Sequence, residues 1–164
     1  MLINLELARQ LLKKVVDSVG PEFKYPHLRE GGEPGELYDA TRHSDEEQAA
    51  CTYVRDNAPS CLVGQVLHAL PIGVPLTVLS RIDAQGDNAG LLAADGVVVS
   101  SSGFHRELRE AGFELTEAAT VYLRAAQAAQ DGGATWAKAY ERAEGMLPAT
   151  RTETLTLWDT RIQR

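Results

Sequence analysis

Apolar residues recur at every third or fourth position near the start of the chain, which is the spacing of an amphipathic helix. The pattern predicts a helix over 4–19 that begins at an Asn4 N-cap and ends at Gly20. Residues 61–70 are apolar on most sides, which predicts a second helix with Ser60 as its N-cap. Because so little of its surface is polar, this second helix is expected at the centre of the core.

Two alanine-rich helices are predicted later in the chain, over 117–130 and 136–144. Thr116 and Thr135 each stand directly before one of them and are typical N-cap residues. A pair of glycines at 132–133 separates the two runs, and so short a break predicts a helical hairpin. The many alanines favour close packing of these helices against their neighbours.

Shorter elements are predicted in the remaining segments. Helical spacing covers 75–82 and 103–111, and Gly112 ends the second of these. Residues 51–55 are rich in β-branched and aromatic types, which predicts a short strand followed by a turn over 56–59. The fold class predicted from all elements is α+β, mainly α: a compact helical domain with a small β-sheet or hairpin.

The elements are expected to form one globular domain over residues 1–149, followed by a C-terminal tail over 150–164. Residues 20–48 contain several prolines and glycines and few apolar residues, which predicts a long acidic loop. The tail alternates apolar and polar residues as an edge strand does. Its large apolar residues are Leu155, Leu157 and Trp158. Since a free tail would expose them, it is expected to dock onto its own domain or onto a second copy in a homodimer.

Charge is distributed unevenly along the chain. The 164 residues carry a net charge of −7, and the segment 30–56 holds eight acidic residues against two arginines. No cluster of Lys and Arg is present of the kind that phosphate-backbone binding needs, which argues against general nucleic-acid binding. No apolar run is long enough for a membrane span, and the N-terminus does not resemble a secretory signal. A cytoplasmic location is therefore expected.

The acidic segment is a candidate binding surface. Asp45, Glu46 and Glu47 could face a basic protein surface or mimic nucleic acid, and a solvated loop is the alternative. A calcium loop alternates its ligands around a glycine, which this run does not do. The Cys51 and Cys61 spacing does not match a zinc knuckle either, so neither a metal nor a cofactor is expected.

Cys61 is the candidate for catalysis. At the first position of a helix, backbone N–H groups and the helix dipole favour a reactive thiolate. A catalytic thiol also needs a base, and His68 lies roughly 10 Å away along the same helix. His43 or His105 could approach only through the fold. The alternative is a buried structural cysteine. Ser100–Ser102 before a helix could likewise hold a phosphate or simply cap that helix.

The corner of the late hairpin is the other candidate binding site. Gln130, Asp131 and Trp136 stand there together with Gln127 and Thr135. Trp and Gln side chains can form a recognition surface. The alternative interpretation is helix capping around a core tryptophan.

Three motifs carry a resemblance to a known group of proteins. They are Cys51-Thr52-Tyr53-Val54, Pro59-Ser60-Cys61-Leu62-Val63-Gly64, and Gln127-Ala128-Ala129-Gln130-Asp131-Gly132-Gly133-Ala134-Thr135-Trp136. With the first helix, they resemble a group of small uncharacterised proteins encoded by phages and prophages of actinobacteria. The resemblance covers most of the chain, but not residues 20–48 or the tail. It implies an intracellular phage accessory protein and assigns no catalytic residue.

The function that these patterns favour is a non-catalytic, phage-type accessory protein that binds another protein and modulates a host protein. The alternative is a small enzyme or small-ligand binder that uses Cys61 and a histidine. A weaker alternative is an acidic DNA mimic. The partner's identity is left open by the sequence.

Overall fold

The computed structural model describes residues 1–25, 52–84 and 103–147. In these ranges the chain forms six helices and two small sheets of two strands each, so the fold is α+β and mainly α, as predicted. The helices are α1 (Leu5–Val19), α2 (Leu62–His68), α3 (Leu76–Ala84), α4 (Gly103–Glu110), α5 (Glu117–Asp131) and α6 (Trp136–Gly145). The strands are β1 (Leu2–Ile3), β2 (Val54–Arg55), β3 (Ala58–Pro59) and β4 (Glu114–Leu115). None of the described helices is both long and apolar enough to cross a membrane.

The predicted caps of the three longest helices are confirmed. The side chains of Asn4, Thr116 and Thr135 each accept a hydrogen bond from a backbone N–H one turn into the helix. Each bond satisfies one of the N–H groups that the first helical turn leaves without a partner. The chain turns between α5 and α6 at Gly133, which has a φ of 81°, a backbone conformation that favours glycine.

The start of α2 differs from the prediction. Its N-cap is Cys61 rather than Ser60, and the Cys61 Sγ accepts from the Gly64 N–H at 3.4 Å. Ser60 is engaged elsewhere, because its N–H donates to the Tyr53 carbonyl at 2.8 Å and its Oγ lies 3.0 Å from the Tyr25 Oη. These bonds hold Ser60 beside the preceding hairpin, so the helix begins one residue later.

The predicted strand at 51–55 is part of a tight hairpin. β2 pairs antiparallel with β3, with Val54 opposite Pro59. Only Asp56 and Asn57 form the turn, both at positive φ, so the predicted turn over 56–59 was too long. The Asp83 carboxylate of α3 accepts from the Tyr53 and Val54 N–H groups at 2.9 and 3.0 Å, and burial raises its pKa above the usual value. Asp83 thereby attaches the hairpin to α3.

The second sheet was not predicted from the sequence. β1 and β4 pair in parallel, with Leu2 opposite Glu114 and Ile3 opposite Leu115. Strands of two residues are too short to show alternation in a sequence. The pairing ties the N-terminus to the connection between α4 and α5.

The described buried apolar side chains form one continuous cluster. α1 packs against α2, α5 and α6, and α5 packs along the length of α6. As predicted, α2 is central: Leu62, Val63, Val66 and Leu67 are fully buried. The predicted acidic loop beyond residue 25, the start of the predicted strand at Cys51 and the tail over 150–164 lie outside the described residues.

A polar cluster joins three helices at the edge of this core. Arg9 of α1 donates to both carboxylate oxygens of Glu144 in α6, at 3.0 and 2.6 Å. The Tyr122 hydroxyl of α5 donates to the same carboxylate at 2.7 Å. These hydrogen bonds, with that from Arg9 the largest influence, hold the pKa of Glu144 below its usual value. The cluster orients α6 against both α1 and α5.

We expect the stability of this cluster to depend on pH. Because the folded-state pKa of Glu144 is lowered, its contribution is complete above the ordinary Glu value of about 4.3 and is lost as pH falls through the folded-state pKa. Glu144→Gln should therefore destabilise the protein at pH 7, and the difference from wild type should shrink on acidification. Urea unfolding of both proteins at several pH values measures this difference in the free energy of unfolding. A difference that stays constant with pH would contradict the assigned role.

Candidate binding surface

A groove runs along the outer side of the α5–α6 hairpin. It encloses about 730 Å³ and is called the hairpin groove below. Its lining residues are Val121, Arg124, Ala125, Ala128, Ala129, Ala134, Lys138, Arg142 and Met146. In α6 the lining residues Lys138 and Arg142 are spaced by four, and Ala134 and Met146 flank the two ends of this helix. Along α5 the lining residues recur by three or four, and residues at these spacings share one face of a helix. One face of each helix thus forms one wall.

The charged residues in this lining are all cationic. Arg124 stands on the α5 wall, and Lys138 and Arg142 stand on the α6 wall, whereas no described acidic residue lines the groove. Lys138 and Arg142 make no ion pair with any residue in the described ranges, and both are exposed. The groove therefore offers positive charge on a chain whose net charge is −7.

Two large apolar side chains stand exposed at one end of the groove. Val121 is 37% exposed and Met146 is 52% exposed, and they lie where α5 begins and α6 ends. Four alanines continue the apolar lining from there toward the turn between the helices. An exposed apolar stripe with polar edges has the composition of an interaction surface.

The predicted site residues at the hairpin corner lie behind the groove rather than in it. Gln130 and Trp136 are fully buried, and the Gln130 Oε1 accepts from the Leu62 N–H at 2.8 Å. Asp131 is partly exposed, and its Oδ1 accepts from the side chains of Gln127 and Gln130 at 2.7 and 3.2 Å. These contacts satisfy the first N–H of α2 and hold the hairpin against it. In this structure the corner residues act as packing and capping groups, which was the alternative interpretation.

Cys61 is fully buried at the start of α2. The His68 ring at the other end of α2 has its Nδ1 3.2 Å from the Val74 carbonyl oxygen. His105 on α4 is half-buried, and burial first, then the charge of Arg109, lowers its pKa. Among the described residues, no three His, Cys, Asp or Glu side chains are grouped closely enough to hold a metal ion. The other candidates named from the sequence, Asp45, Glu46, Glu47, His43 and Ser100–Ser102, lie outside the described residues.

The burial of Cys61 predicts a protected thiol. In a Cys51→Ser variant, which leaves Cys61 as the single thiol, alkylation of the native protein should be at least about 100-fold slower than in denaturant, because reagent reaches the sulfur only after local opening. The rate is measured with a chromogenic thiol reagent between pH 6 and 9. Similar rates in the two states would contradict the burial of Cys61, and a fast reaction of the native protein at pH 6 would instead support the cysteine-dependent enzyme.

The hairpin groove was missed by the sequence analysis, although a signal for it exists. Lys138 and Arg142 are spaced by four on one face of α6, and Ala134 and Met146 continue this spacing just beyond its two ends. The core face of α6, with Trp136, Ala139 and Ala143, has a stronger apolar pattern. The Lys138 and Arg142 face lies beside this core face, because each residue directly precedes a buried alanine. Its weaker pattern can be recognised as a groove wall only when the position of α5 is known.

Comparison with known proteins found no match: no family model, no curated protein and no solved structure matches this chain.

Proposed function

We propose that this chain is a non-catalytic accessory protein that acts by binding another protein through the hairpin groove. The observation that carries the proposal is the combination of exposed apolar side chains, Val121 and Met146, with the cations Lys138 and Arg142 in one groove. Protein interfaces commonly join an apolar centre to a charged rim. The corner residues Gln130 and Trp136 hold the α5–α6 hairpin against the rest of the core through their contacts with Leu62 and Phe23.

The resemblance to proteins encoded by phages and prophages supports a host protein as the target, in the cytoplasm of the host cell. An accessory protein of this kind modulates its target by occupying a surface and needs no catalytic group. The acidic segment with Asp45, Glu46 and Glu47 is a second candidate through which the same chain could contact a basic protein. The DNA mimic remains the weaker alternative for that segment.

Affinity capture from bacterial lysate tests the proposal. The full chain is compared with Arg142→Glu, which reverses one exposed groove charge, and with Lys14→Glu, a matched reversal on the exposed side of α1. Arg142 lies in the last turn of α6, whereas Lys14 lies before the last turn of α1, so circular dichroism checks that both variants are folded. A protein captured by wild type and Lys14→Glu but lost with Arg142→Glu supports the groove as the interface. An identical set of captured proteins with all three would contradict it.

A variant lacking residues 30–48 tests the acidic segment separately. If this segment is the interface, the deletion removes the captured protein while Arg142→Glu does not. No change on deletion would count against the acidic segment as the interface.

A further inference from the structure

We infer that the hairpin groove takes an amphipathic helix of a partner protein that carries acidic residues beside an apolar stripe. This inference rests on the proposed function and names the chemistry of the partner. It comes from three features of the groove: its helical walls, the placement of its cations and the position of its exposed apolar residues.

The walls have the shape that receives a third helix. The α6 wall is formed by a helix of 10 residues, about 15 Å at 1.5 Å per residue, which matches a partner helix of about 10 residues. Alanines at 125, 128 and 129 line the α5 wall, and Ala134 lines the turn between the helices. Small side chains let a helix backbone come within the usual 8–10 Å interaxial distance, and they leave the space between the walls for the partner's larger apolar residues.

The cations lie on both sides of this alanine lining. Arg124 flanks it on α5, and Lys138 and Arg142 flank it on α6, one turn apart. A helix in the groove would therefore meet the exposed positive charges of Lys138 and Arg142 beside its apolar stripe. Glutamate or aspartate at that flank gains from this field, and lysine or arginine is repelled.

The exposed apolar residues indicate at which end of the groove the larger apolar side chains of the partner helix would lie. Val121 and Met146 lie at the end of the groove away from the turn between α5 and α6. Methionine adapts its shape to different partners, so this end suits a large apolar side chain. The end at Ala134 has only small residues and suits a smaller one.

Charge argues against the chain's own tail as the occupant. Residues 148–164 follow directly after the α6 end of the groove and contain large apolar residues. However, this segment holds three arginines and two acidic residues, a net charge of +1. Its arginines would meet the three groove cations, whereas an acidic helix of another protein has no such repulsion.

A defined peptide tests the inference on the full chain. The probe is a fluorescent peptide of about 14 residues, roughly 20 Å as a helix, with leucine and alanine on one face and glutamate on both flanks. A second peptide has lysine at every glutamate position, and a third keeps the glutamates but disperses the leucines. We expect saturable binding of the first peptide alone, measured by fluorescence anisotropy, with affinity that falls as salt is raised.

The protein variants locate the binding. Arg142→Glu and Lys138→Glu should each weaken binding of the glutamate peptide by about tenfold or more, and Lys14→Glu by less than about twofold. Circular dichroism confirms that each variant is folded. The inference would be overturned by equal affinity in all variants or by equal binding of the lysine peptide. It would also be overturned if binding of the glutamate peptide does not saturate by about 1 mM.

Two further results would overturn it in favour of another occupant. If removal of residues 148–164 raises peptide affinity by about tenfold or more, the tail occupies the groove. If sedimentation shows a dimer that Arg142→Glu converts to a monomer, a second copy occupies it. If the lysate capture depends on Arg142 but the glutamate peptide does not bind, the proposed function stands and the acidic-helix inference falls.

Discussion

Replacement of Trp136 by alanine is expected to lower the free energy of unfolding by about 3–5 kcal/mol. Trp136 is fully buried, and its ring meets the Phe23 ring edge-on with centroids 4.6 Å apart. Its backbone N–H also donates to the Phe23 carbonyl at 2.9 Å, so both the ring and the main chain of Trp136 contact Phe23. Alanine would leave a large cavity where the start of α6 meets the chain after α1. Urea unfolding followed by circular dichroism measures the loss.

Two other variants give this prediction its controls. The Trp136 Nε1 has no hydrogen-bond partner among the described residues, so Trp136→Phe removes a buried polar group together with part of the ring. We expect it to lose less than half as much stability as alanine. Ile72 is 71% exposed, and Ile72→Ala should change stability by less than about 0.5 kcal/mol. A loss below about 1 kcal/mol for Trp136→Ala would contradict the assigned packing.

Gly64→Ala is expected to destabilise the protein by about 2–3 kcal/mol or more, although alanine is the better helix former. A Cβ at position 64 would lie 2.6 Å from the Tyr53 carbonyl oxygen and 3.2 Å from the Tyr53 Cα. Both are backbone atoms, so no flexible side chain can move aside. The Tyr53 carbonyl also accepts from Ser60, and the Tyr53 N–H is bound to Asp83. Moving this strand would therefore break several hydrogen bonds.

Gly145→Ala is the matched control for this clash. Gly145 also lies in a helix, but a Cβ there would meet nothing within 4 Å. The change should be neutral or should stabilise by about 0.5–1 kcal/mol, because alanine loses less conformational entropy in a helix. Thermal unfolding of both variants measures the contrast. If the two substitutions have the same effect, α2 and the hairpin do not approach as closely as described.

The long helices and their ends could be predicted because their determinants are local. Helical spacing placed α1, α5 and α6 within one or two residues of their observed bounds, and each cap lies beside the helix that it serves. The N-cap of α2 could not be predicted in the same way. Ser60 and Cys61 both precede the apolar run, and the hydrogen bonds of Ser60 to Tyr53 and Tyr25 decide between them.

The candidate site shows the same division. The sequence predicts a candidate site at the hairpin corner, but residues such as Gln130 and Trp136 are compatible both with an exposed binding surface and with a buried core. Only packing against Leu62 and Phe23 decides that Gln130 and Trp136 are buried. The groove cations Lys138 and Arg142 look like ordinary surface residues in the sequence, and they become a site only where the facing α5 wall adds Arg124 and the alanines.

The sequence by itself determined the mainly helical class, the hairpin of α5 and α6, and the central position of α2, because apolar periodicity and caps act over a few residues. Tertiary structure alone decided the β1–β4 pairing, the Arg9–Glu144–Tyr122 cluster, the close approach at Gly64 and the hairpin groove. Each of these joins residues far apart in the chain. Their partners are selected by how the helices pack, and helix packing depends on the shape of whole faces rather than on any local pattern.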